Sequence, residues 1–399
     1  MRGFNQMRRL LSIIKGYLLL IGILAHVGFI TVWLLRPDVI DTIRTRMTAK
    51  LIEQVPMLAS VSTNAMTLIT WEQVRQQLPA WQPLPLLITS NPPTPNTARI
   101  GDRTFDLLTD AAAALQPDDT LDIGAGIYNT PLVITADNVT IIGHGHVILE
   151  HGTAEGKGNI LIKGNGVKLR NIECRLISVP DRNGACVRLE GENLFLDHVY
   201  FHDGEQGLLT GGLPGFVHIR DSRFERLGAG GLAHAVYMGK EGKLLIEKSW
   251  FLASKDQGHE IKSRAHMTTI SDSLIASLSG DDSRLIDISN GGQLVVENSI
   301  LAQGPNSSNG DAIGFALEGS AAPGQENVIL RNNVILLERH GNNRLLHLGN
   351  DQVQVTVTDN VIVSEQPTGY ESGNMIFKTR AELGLPPYPA LPLERQTNL

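Results

Sequence analysis

Short segments in which every second side chain is apolar fill the sequence from residue 99 to the C-terminal region. A period of two is typical of β-strands that bury one face, and clusters of glycine, asparagine and aspartate separate the segments as turns would. One hexapeptide pattern recurs: an aliphatic residue, any residue, a polar residue, Ser or Asn, any residue, and an aliphatic or aromatic residue. Its copies span residues 219–224, 246–251, 270–275, 296–301, 330–335 and 357–362.

These copies lie roughly 25 residues apart, with one longer gap before the fifth, and such a period is typical of a solenoid. A single repeat cannot bury its apolar face alone, so the repeats must stack on one another. The period of two disfavours helical repeats, and a β-propeller needs longer blades. The sequence therefore predicts an all-β fold, a right-handed parallel β-helix over residues 99–378. One polar residue of each copy is expected to stack at the same turn: Ser222, Ser249, Ser273, Ser299, Asn333 and Asn360.

A different pattern occupies the N-terminal region, where residues 16–35 form a run without a charged side chain. About 20 predominantly apolar residues match the hydrocarbon thickness that one helix crosses. The run ends in Trp33, Leu34 and Leu35 rather than in the small residues of a cleavage site, which favours an uncut signal anchor. The predicted segments are an anchor and transmembrane helix at 1–36, a helical and proline-rich linker at 37–98, the β-helix at 99–378, and a C-terminal tail at 379–399.

The charge balance and the cysteine count exclude several classes of protein. The formal net charge of −7 argues against nucleic-acid binding, because that function needs clustered basic residues. Two cysteines are too few for a disulfide scaffold or a cysteine-rich zinc module. Cys174 and Cys186 are candidates for one disulfide between neighbouring coils in an oxidising compartment, or for two free thiols.

Stacking of the repeats places a group of polar residues on three successive coils. If aliphatic residues one coil apart point inward, the residues that follow them point outward in a ladder with about 5 Å per step. The inward residues are Val236, Ile261 and Ile286, and the outward residues are Tyr237, Lys262 and Asp287. Glu260 and Arg264 lie two residues either side of Lys262 and are expected on the same outer face.

A second stack is predicted at the turn that opens each of these strands. His234, His259 and Arg284 precede the inward residues by two positions, and Glu205 is expected near the same turn one coil earlier. Either histidine can instead be a structural residue bonded to turn carbonyls. The charged ladder can likewise be an ordinary solvated sheet face.

Convergence of these side chains suits chemistry on uronic acids. Removal of the C5 proton requires neutralisation of the adjacent carboxylate, for which Arg264 and Arg284 offer bidentate hydrogen bonds. Tyr237, Lys262 or a histidine would then take the proton. Loss of the leaving oxygen gives β-elimination, whereas return of the proton on the opposite face gives C5-epimerisation. The predicted catalytic residues are Tyr237, His259, Lys262 and Arg264, and the predicted substrate-binding residues are Glu205, His234, Glu260, Arg284 and Asp287.

Three acidic residues allow two further interpretations. Asp281 and Asp282 are weak candidates for a Ca²⁺ site with oxygen ligands, although no cofactor is predicted. A glycoside hydrolase would need paired carboxylates, for which Asp281, Asp282 and Asp287 are the candidates.

The segment at 107–128, LLTDAAAALQPDDTLDIGAGIY, resembles the N-terminal cap of pectate-lyase-like β-helix proteins. Such a cap has a short helix, a Pro-Asp-Asp turn and a first strand ending in Gly-x-Tyr. The resemblance extends over residues 100–377 and implies the fold rather than a reaction. Three motifs, HAVYMG at 234–239, GHEIKSRA at 258–265 and DISNGG at 287–292, resemble signatures of a bacterial β-helix group to which no function is assigned.

Two enzyme families of this fold carry motifs that the chain matches poorly. Metal-dependent pectate lyases place several Asp ligands and an Arg base on successive coils, and here the acidic residues cluster only at 281–287. Poly-mannuronate C5-epimerases carry an Asp-His-Asp motif, which Phe201, His202 and Asp203 only approximate.

Together these features predict a membrane-anchored enzyme that acts on an acidic, uronate-containing polysaccharide by β-elimination or C5-epimerisation. The expected location is a bacterial inner membrane, crossed once by residues 16–35, with the β-helix in the periplasm. The alternatives are a glycoside hydrolase and a non-catalytic protein that guides a polysaccharide among exopolysaccharide export components. An enzyme requires its polar residues to converge in one cleft, whereas a guide spreads them along several coils.

Overall fold

The structure, a computed structural model, describes residues 69–85, 92–320 and 325–393 of the 399-residue chain. They belong to one compact unit, Ile69–Leu399, built as a solenoid of parallel strands. Each full coil contributes three strands, and equivalent strands of successive coils pair in register. The predicted all-β parallel solenoid is therefore confirmed. Parallel crossovers are right-handed in about 98% of cases, and the right-handed sense stays a prediction.

The coils are built from three parallel rows of strands, named sheets 1, 2 and 3 in the order in which a coil visits them, and sheets 1 and 2 are joined at the N-terminal end. The helices are α1 (Trp71–Arg75) and α2 (Leu108–Ala113), and the first long strands are β3 (Thr120–Tyr128) and β5 (Thr140–Glu150), with β1 (Ala98–Ile100) and β2 (Arg103–Phe105) at the N-terminal end. Sheet 1 contains β7 (Val167–Arg170), β10 (Leu194–Asp197), β13 (Phe216–Arg220), β16 (Lys243–Glu247), β19 (Met267–Ser271), β22 (Gln293–Glu297), β25 (Asn327–Arg331) and β28 (Gln354–Thr358). Sheet 2 contains β8 (Glu173–Arg175), β11 (Tyr200–His202), β14 (Arg223–Glu225), β17 (Trp250–Leu252), β20 (Leu274–Ala276), β23 (Ile300–Gln303), β26 (Val334–Leu337), β29 (Val361–Ser364) and β30 (Met375–Phe377). Sheet 3 contains β4 (Leu132–Ile134), β6 (Gly158–Ile162), β9 (Ala185–Leu189), β12 (Gln206–Thr210), β15 (Val236–Met238), β18 (Ile261–Ser263), β21 (Ile286–Ile288), β24 (Asp311–Phe315) and β27 (Arg344–Leu348).

The predicted cap closes the N-terminal end of the solenoid. Helix α2 buries Leu108, Ala111 and Ala112 against the aliphatic interior. The Pro-Asp-Asp turn follows, and β3 then ends at Tyr128, as the Gly-x-Tyr pattern indicated. Strand β1 pairs antiparallel with β2 and with β3, so this end is not built from parallel coils alone.

The recurring Ser and Asn residues stack at the turn between sheets 1 and 2, as predicted. The backbone N–H of Ser222 donates to Oγ of Ser249 at 3.1 Å, and the N–H of Ser249 donates to Oγ of Ser273 at 3.1 Å. The same hydrogen-bond pattern continues through Ser299 to Asn333 and Asn360. Each side chain thus satisfies a backbone donor that the turn removes from the sheet hydrogen bonds.

The polar residue before each stacked Ser or Asn adopts the left-handed backbone conformation. Asp221, Asp272 and Asn332 have φ values of 47°, 49° and 56°. Asn and Asp tolerate this region better than other side chains with a Cβ. The turn geometry therefore explains why the hexapeptide pattern has a polar residue directly before Ser or Asn.

Aliphatic side chains fill the interior, and three phenylalanines pack in a row within it, the first pair edge to face and the second pair stacked. The ring centroids of Phe201 and Phe224 lie 5.3 Å apart, and those of Phe224 and Phe251 lie 4.8 Å apart. A disulfide joins Cys174 of β8 to Cys186 of β9. It lies within one coil rather than between neighbouring coils, because β8 and β9 are consecutive strands of the same turn.

Two segments from outside the coils cover the apolar outer face of sheet 2. Leu274, Ile300 and Leu336 belong to this face, and they cluster with Val74 of α1 and with Leu391 of the C-terminal segment. Residues 69–85, which belong to the predicted linker at 37–98, therefore lie in the same compact unit as the solenoid, and the predicted domain boundaries stay predictions.

The predicted membrane span at 16–35 lies outside the described residues. Within the part of the chain that the structure describes, no helix combines the length and the apolar character that crossing a bilayer requires. The anchor at 1–36 therefore stays a prediction.

Candidate functional site

The outer face of sheet 3 carries the ladder predicted from the repeats. The inward residues pair in register and are fully buried: Val236, Ile261 and Ile286. Tyr237 lies opposite Lys262, and Lys262 lies opposite Asp287. Gly314 of β24 takes the next position. The predicted placement of these side chains on one face is confirmed.

Arg264 connects the residues of this ladder. Its Nε donates to the Tyr237 hydroxyl at 2.8 Å, its Nη1 donates to Asn290 Oδ1 at 2.6 Å, and its Nη2 donates to Glu318. Lys262 Nζ donates to the other carboxylate oxygen of Glu318 at 2.8 Å. The Lys262 ammonium and the Arg264 guanidinium lie 5.8 Å and 5.7 Å from the centre of the Tyr237 ring. Two cations and one phenol hydroxyl therefore converge beside a single carboxylate.

Glu318 is a member of this cluster that the sequence did not reveal. It follows β24, and its backbone N–H donates to the Ser289 carbonyl at 2.9 Å, which fixes the chain beside Lys262 and Arg264. Burial raises the pKa of the Glu318 carboxyl, but hydrogen bonds from Lys262 and Arg264 outweigh burial and lower it to about 2. The two contacts bridge 56 and 54 residues, and no repeat or motif marks position 318.

A second ion cluster lies next to the first on the following coil. Arg284 donates to Asp287 Oδ2 at 2.9 Å and to Asp311 Oδ2 at 3.3 Å, and the Ser289 hydroxyl donates to Asp287 Oδ1 at 2.6 Å. A Cβ at Gly314 would lie 3.0 Å from Cδ and Nε of Arg284, so glycine gives this side chain room. Both predicted residues are at the site, but Arg284 is held by carboxylates of the chain itself.

His234 and His259 stack at the opening turn, as predicted, with ring centroids 4.9 Å apart. Nδ1 of His234 accepts the backbone N–H of His259 at 3.0 Å, and Nδ1 of His259 accepts that of Arg284 at 3.1 Å. Burial, with the charges of Lys262 and Arg284, lowers the pKa of His259 to about 3, and burial lowers the pKa of His234 well below its ordinary value. Each neutral ring thus carries its proton on Nε2 and has no free lone pair, which favours the structural interpretation.

Glu260 does not lie on the outer face, contrary to the sequence expectation. The side chain is fully buried, and its two oxygens accept the backbone N–H and the hydroxyl of Ser254, each at 2.7 Å. Burial, with the nearby Asp282, raises the pKa of Glu260 well above its ordinary value. Strand β18 begins only at Ile261, so the alternation of outward and inward side chains does not extend back to Glu260.

The candidate Ca²⁺ ligands Asp281 and Asp282 are engaged within the protein. Asp282 is fully buried and accepts hydroxyl hydrogen bonds from Ser277 at 2.9 Å and Ser307 at 2.6 Å. Burial raises the pKa of Asp282 to about 7. Asp281 accepts the backbone N–H of Asp256 at 2.7 Å. Among the described residues, no three His, Cys, Asp or Glu side chains gather in a way that would hold a metal ion.

Glu205 is not brought into the cluster. Its Oε2 accepts the backbone N–H groups of Val179 at 3.1 Å and Gly184 at 2.7 Å, so the side chain fastens the loop that precedes β9. Of the predicted residues, the structure gathers Tyr237, Lys262 and Arg264 at the centre of the site, with Arg284, Asp287 and the two histidines beside them.

Comparison with known proteins adds only distant structural matches. No family model and no curated protein matches the sequence. Among solved structures, pectate lyase Pel9A aligns with a TM-score of 0.45 and 12% identity, over 67% of this chain and 75% of that one. A PL6 alginate lyase in complex with a trisaccharide aligns at 0.32 and 13%, over 67% and 84%. A pectin methylesterase in complex with a hexasaccharide aligns at 0.36 and 13%, over 72% and 93%. These matches give this chain neither a family nor a reaction, and its chemistry must be inferred from its own site.

Proposed function

We propose that this protein is an enzyme acting on an acidic, uronate-containing polysaccharide, with chemistry that begins by removing the C5 proton of a uronic acid. The observation that carries the proposal is the convergence of Lys262, Arg264 and Tyr237 beside one carboxylate, that of Glu318. A site that holds a carboxylate between an ammonium and a guanidinium is chemically suited to the carboxylate of a uronate.

The two cations supply the neutralisation that proton removal requires. A uronate carboxylate bound by Lys262 and Arg264 shares its negative charge with both groups. Negative charge develops on the same carboxylate when the C5 proton leaves, and cations already in place stabilise that charge without rearrangement. The pair therefore favours the transition state of proton abstraction.

Tyr237 and Lys262 are the candidates for the proton-transferring groups. The Tyr237 hydroxyl accepts a hydrogen bond from Arg264, a donor that stabilises negative charge on the phenol oxygen. His259 does not suit the role of base, because its Nδ1 lone pair is occupied and Nε2 carries the proton. His259 therefore supports the turn rather than the reaction.

Either of two outcomes follows proton abstraction. In β-elimination, the C5–H electron pair forms the C4=C5 double bond, the C4–O bond breaks, and the departing oxygen takes a proton from an acid. In epimerisation, C5 instead receives a proton on the opposite face. Tyr237 and Lys262, which are neighbours in the ladder, offer the two proton carriers that either outcome needs.

The alternatives have less support from the geometry. A hydrolase needs two accessible carboxylates, whereas Asp282 is fully buried and Asp287 is bonded to Arg284 and Ser289. A guide protein would spread its polar groups along many coils, whereas Tyr237 and Lys262 converge on two.

The location is proposed from the sequence, with one structural feature in its favour. A signal anchor at 16–35 would hold the enzyme at a bacterial inner membrane, with the solenoid in the periplasm beside exopolysaccharide export components. The disulfide between Cys174 and Cys186 suits an oxidising compartment of this kind. An acidic polysaccharide is the partner proposed there.

The test is incubation of the full-length protein with polymers of galacturonate, mannuronate, guluronate and glucuronate. An increase in the ultraviolet absorbance of unsaturated products identifies a lyase, whereas deuterium at C5 in D₂O without unsaturation identifies an epimerase. We expect the variant Tyr237→Phe to lower the rate at least about 100-fold, since general acid–base catalysis contributes about 10²–10⁴-fold. Tyr370→Phe, at another half-buried tyrosine, serves as the matched control and should retain full activity.

Two results would contradict the proposal. One is the absence of a signal on every polymer, together with unchanged polymer binding when Lys262 and Arg264 are both replaced by alanine. The other is full activity of Tyr237→Phe together with full activity of Lys262→Ala, because the proton carriers would then lie elsewhere.

A further inference from the structure

Glu318 differs in exposure from the two cations that it contacts. Its side chain is 45% exposed, whereas those of Lys262 and Arg264 are 12% and 19% exposed. The carboxylate therefore forms an outer layer over the two cations. A ligand that approaches Lys262 and Arg264 from solvent meets this carboxylate first.

The backbone of Glu318 is fixed even though its side chain faces solvent. Its N–H donates to the Ser289 carbonyl at 2.9 Å, and its carbonyl accepts from Asn290 Nδ2 at 3.3 Å. Gly319 follows with φ of 108°, and among the described residues no heavy atom lies within 4 Å of the position that a Cβ would take. Rotation about side-chain bonds is thus sufficient to remove the Glu318 carboxylate from both cations, without movement of the chain.

We infer that Glu318 is a resident substitute for the substrate carboxylate, occupying Lys262 and Arg264 until a uronate exchanges with it. The inference rests on the proposed function. The exchange keeps each cation paired throughout, because one carboxylate leaves as another binds. A neutral or esterified sugar has no charge to offer in exchange, so the substrate class is the polyuronate with free carboxylates.

The experiment measures binding rather than turnover. Full-length wild type and the variant Glu318→Gln are titrated with hexamers of galacturonate, mannuronate, guluronate and glucuronate in a calorimeter. Glu318→Gln should bind the preferred hexamer about threefold to tenfold more tightly, since a competing, partly exposed ion pair is removed. High salt should reduce this gain in affinity, because the Glu318 carboxylate and the uronate carboxylate that compete for the two cations are both charged.

Three further variants make the result specific. Glu297→Gln removes the same charge from a glutamate that pairs with Arg331 at 2.6 Å on sheet 1, and it should bind like wild type. Glu318→Asp retains the charge on a shorter side chain and should give an intermediate gain, which keeps the test available if Glu318→Gln is unstable. Adding Arg264→Ala to Glu318→Gln should abolish the gain.

The outcomes separate this inference from the proposed function. If wild type binds a hexamer and Glu318→Gln binds it no better, Glu318 is not a competitor, and the inference is overturned while the proposed function stands. If neither protein binds any hexamer, both are overturned. Equal gains for Glu318→Gln and Glu297→Gln would also overturn it, because net charge alone would then explain the effect.

Discussion

Two dense groups of charged side chains lie on different faces of the same solenoid, and they differ in what covers them. On sheet 3, Lys262 and Arg264 are paired with one half-exposed carboxylate, that of Glu318. On sheet 2, the charged residues of β8, β11 and β14 pair with one another beneath residues 71–82, which come from outside the coils. The carboxylate of the first group is open to solvent, whereas the second group is covered.

The group on sheet 2 is a continuous network of ion pairs. Glu173 receives hydrogen bonds from His146 at 2.6 Å and from His202 at 3.1 Å. His202 also bonds to Asp203 at 2.6 Å, and Arg226 Nε donates to Asp203 at 2.6 Å. Arg175 Nη1 also donates to Glu173 at 3.3 Å, so each carboxylate is shared among two or more cationic or titratable partners.

Aromatic side chains close this network from outside. Trp81 stacks on Tyr200 with ring centroids 5.4 Å apart, and the Arg226 guanidinium lies 4.3 Å from the ring centre of Trp71. Tyr200 in turn donates to Glu225 at 2.7 Å. The segment at 71–82 therefore occupies the space that a ligand would need.

The comparison shows why titratable residues in sequence do not by themselves mark a functional site. His202 and Asp203 are the residues that approximate an epimerase motif, yet their charges are satisfied within the covered network. Lys262 and Arg264 have a partner that is open to solvent. Accessibility of the counter-charge, rather than the density of charge, distinguishes the two groups.

Replacement of Glu225 by alanine should have the largest effect on stability. Glu225 is 1% exposed, and it accepts hydrogen bonds from Arg223, Arg226 and Tyr200. Loss of the carboxylate removes the acidic partner of the buried Arg223 and one of the two acidic partners of Arg226, so the free energy of unfolding should fall by about 3 kcal/mol. Urea denaturation measures this change, and binding of uronate hexamers should stay as in wild type.

Glu247→Ala is the matched control for that variant, since Glu247 pairs with His218 on sheet 1 and its side chain is 36% exposed. Its free energy of unfolding should change by no more than about 0.5 kcal/mol. An equally small change for Glu225→Ala would mean that the sheet 2 network is not closed, and the distinction between the two groups would fail.

Trp81→Ala tests the cover of the network and should have a smaller effect. The Trp81 ring packs on Tyr200 and His198, but its Nε1 has no hydrogen-bond partner among the described residues. Loss of this half-buried ring should lower the free energy of unfolding by about 2 kcal/mol, less than for a fully buried aromatic side chain. Thermal denaturation measures the change.

Phe216→Ala removes a 45% exposed ring from sheet 1 and should be almost neutral by the same measurement. Polyuronate binding that appears only in Trp81→Ala would contradict the structural role of the cover, because it would reveal a ligand site beneath it.

The histidines of the two groups should give opposite dependences of stability on pH. Burial lowers the pKa of His202, but hydrogen bonds to Asp203 and Glu173 outweigh burial and raise the pKa. His202 therefore stabilises the folded protein fully below about pH 6.5, and this stabilisation is lost as the pH rises. The pKa of His259 is lowered to about 3, so stability is lost as the pH falls from about 6.5. Each histidine contributes at most about 1.4 kcal/mol per pH unit.

Urea denaturation between about pH 4 and pH 9 measures both effects. His202→Gln should reduce the loss on the alkaline side, where His198 also has a raised pKa, and His259→Gln should reduce the loss on the acid side, where His234 also has a lowered pKa. If the two variants changed the pH dependence of the free energy of unfolding in the same direction relative to wild type, the assignment of a charged His202 and a neutral His259 would be contradicted.

Much of the site's placement could be predicted from the repeats, and its chemistry only in part. Tyr237, Lys262 and Asp287 occupy the predicted ladder because each lies one residue after an inward aliphatic side chain of a regular strand. Glu260 was misplaced because it lies in the turn before β18, where the alternation of side chains does not hold. The histidines stack as expected, but their acceptance of backbone N–H groups depends on the geometry of the turn.

The repeat pattern is sufficient to predict the solenoid, the stacked turn of Ser and Asn, and the face that carries Lys262. In a solenoid each strand pairs with its equivalent one repeat away, so the local period and the repeat length are sufficient to align them. The distinction between exposed and covered charges depends on contacts that the repeat pattern does not predict. Glu318 reaches Lys262 across 56 residues, and Trp81 reaches Tyr200 from outside the coils. Such contacts depend on the paths of turns and flanking segments, which do not follow the repeat.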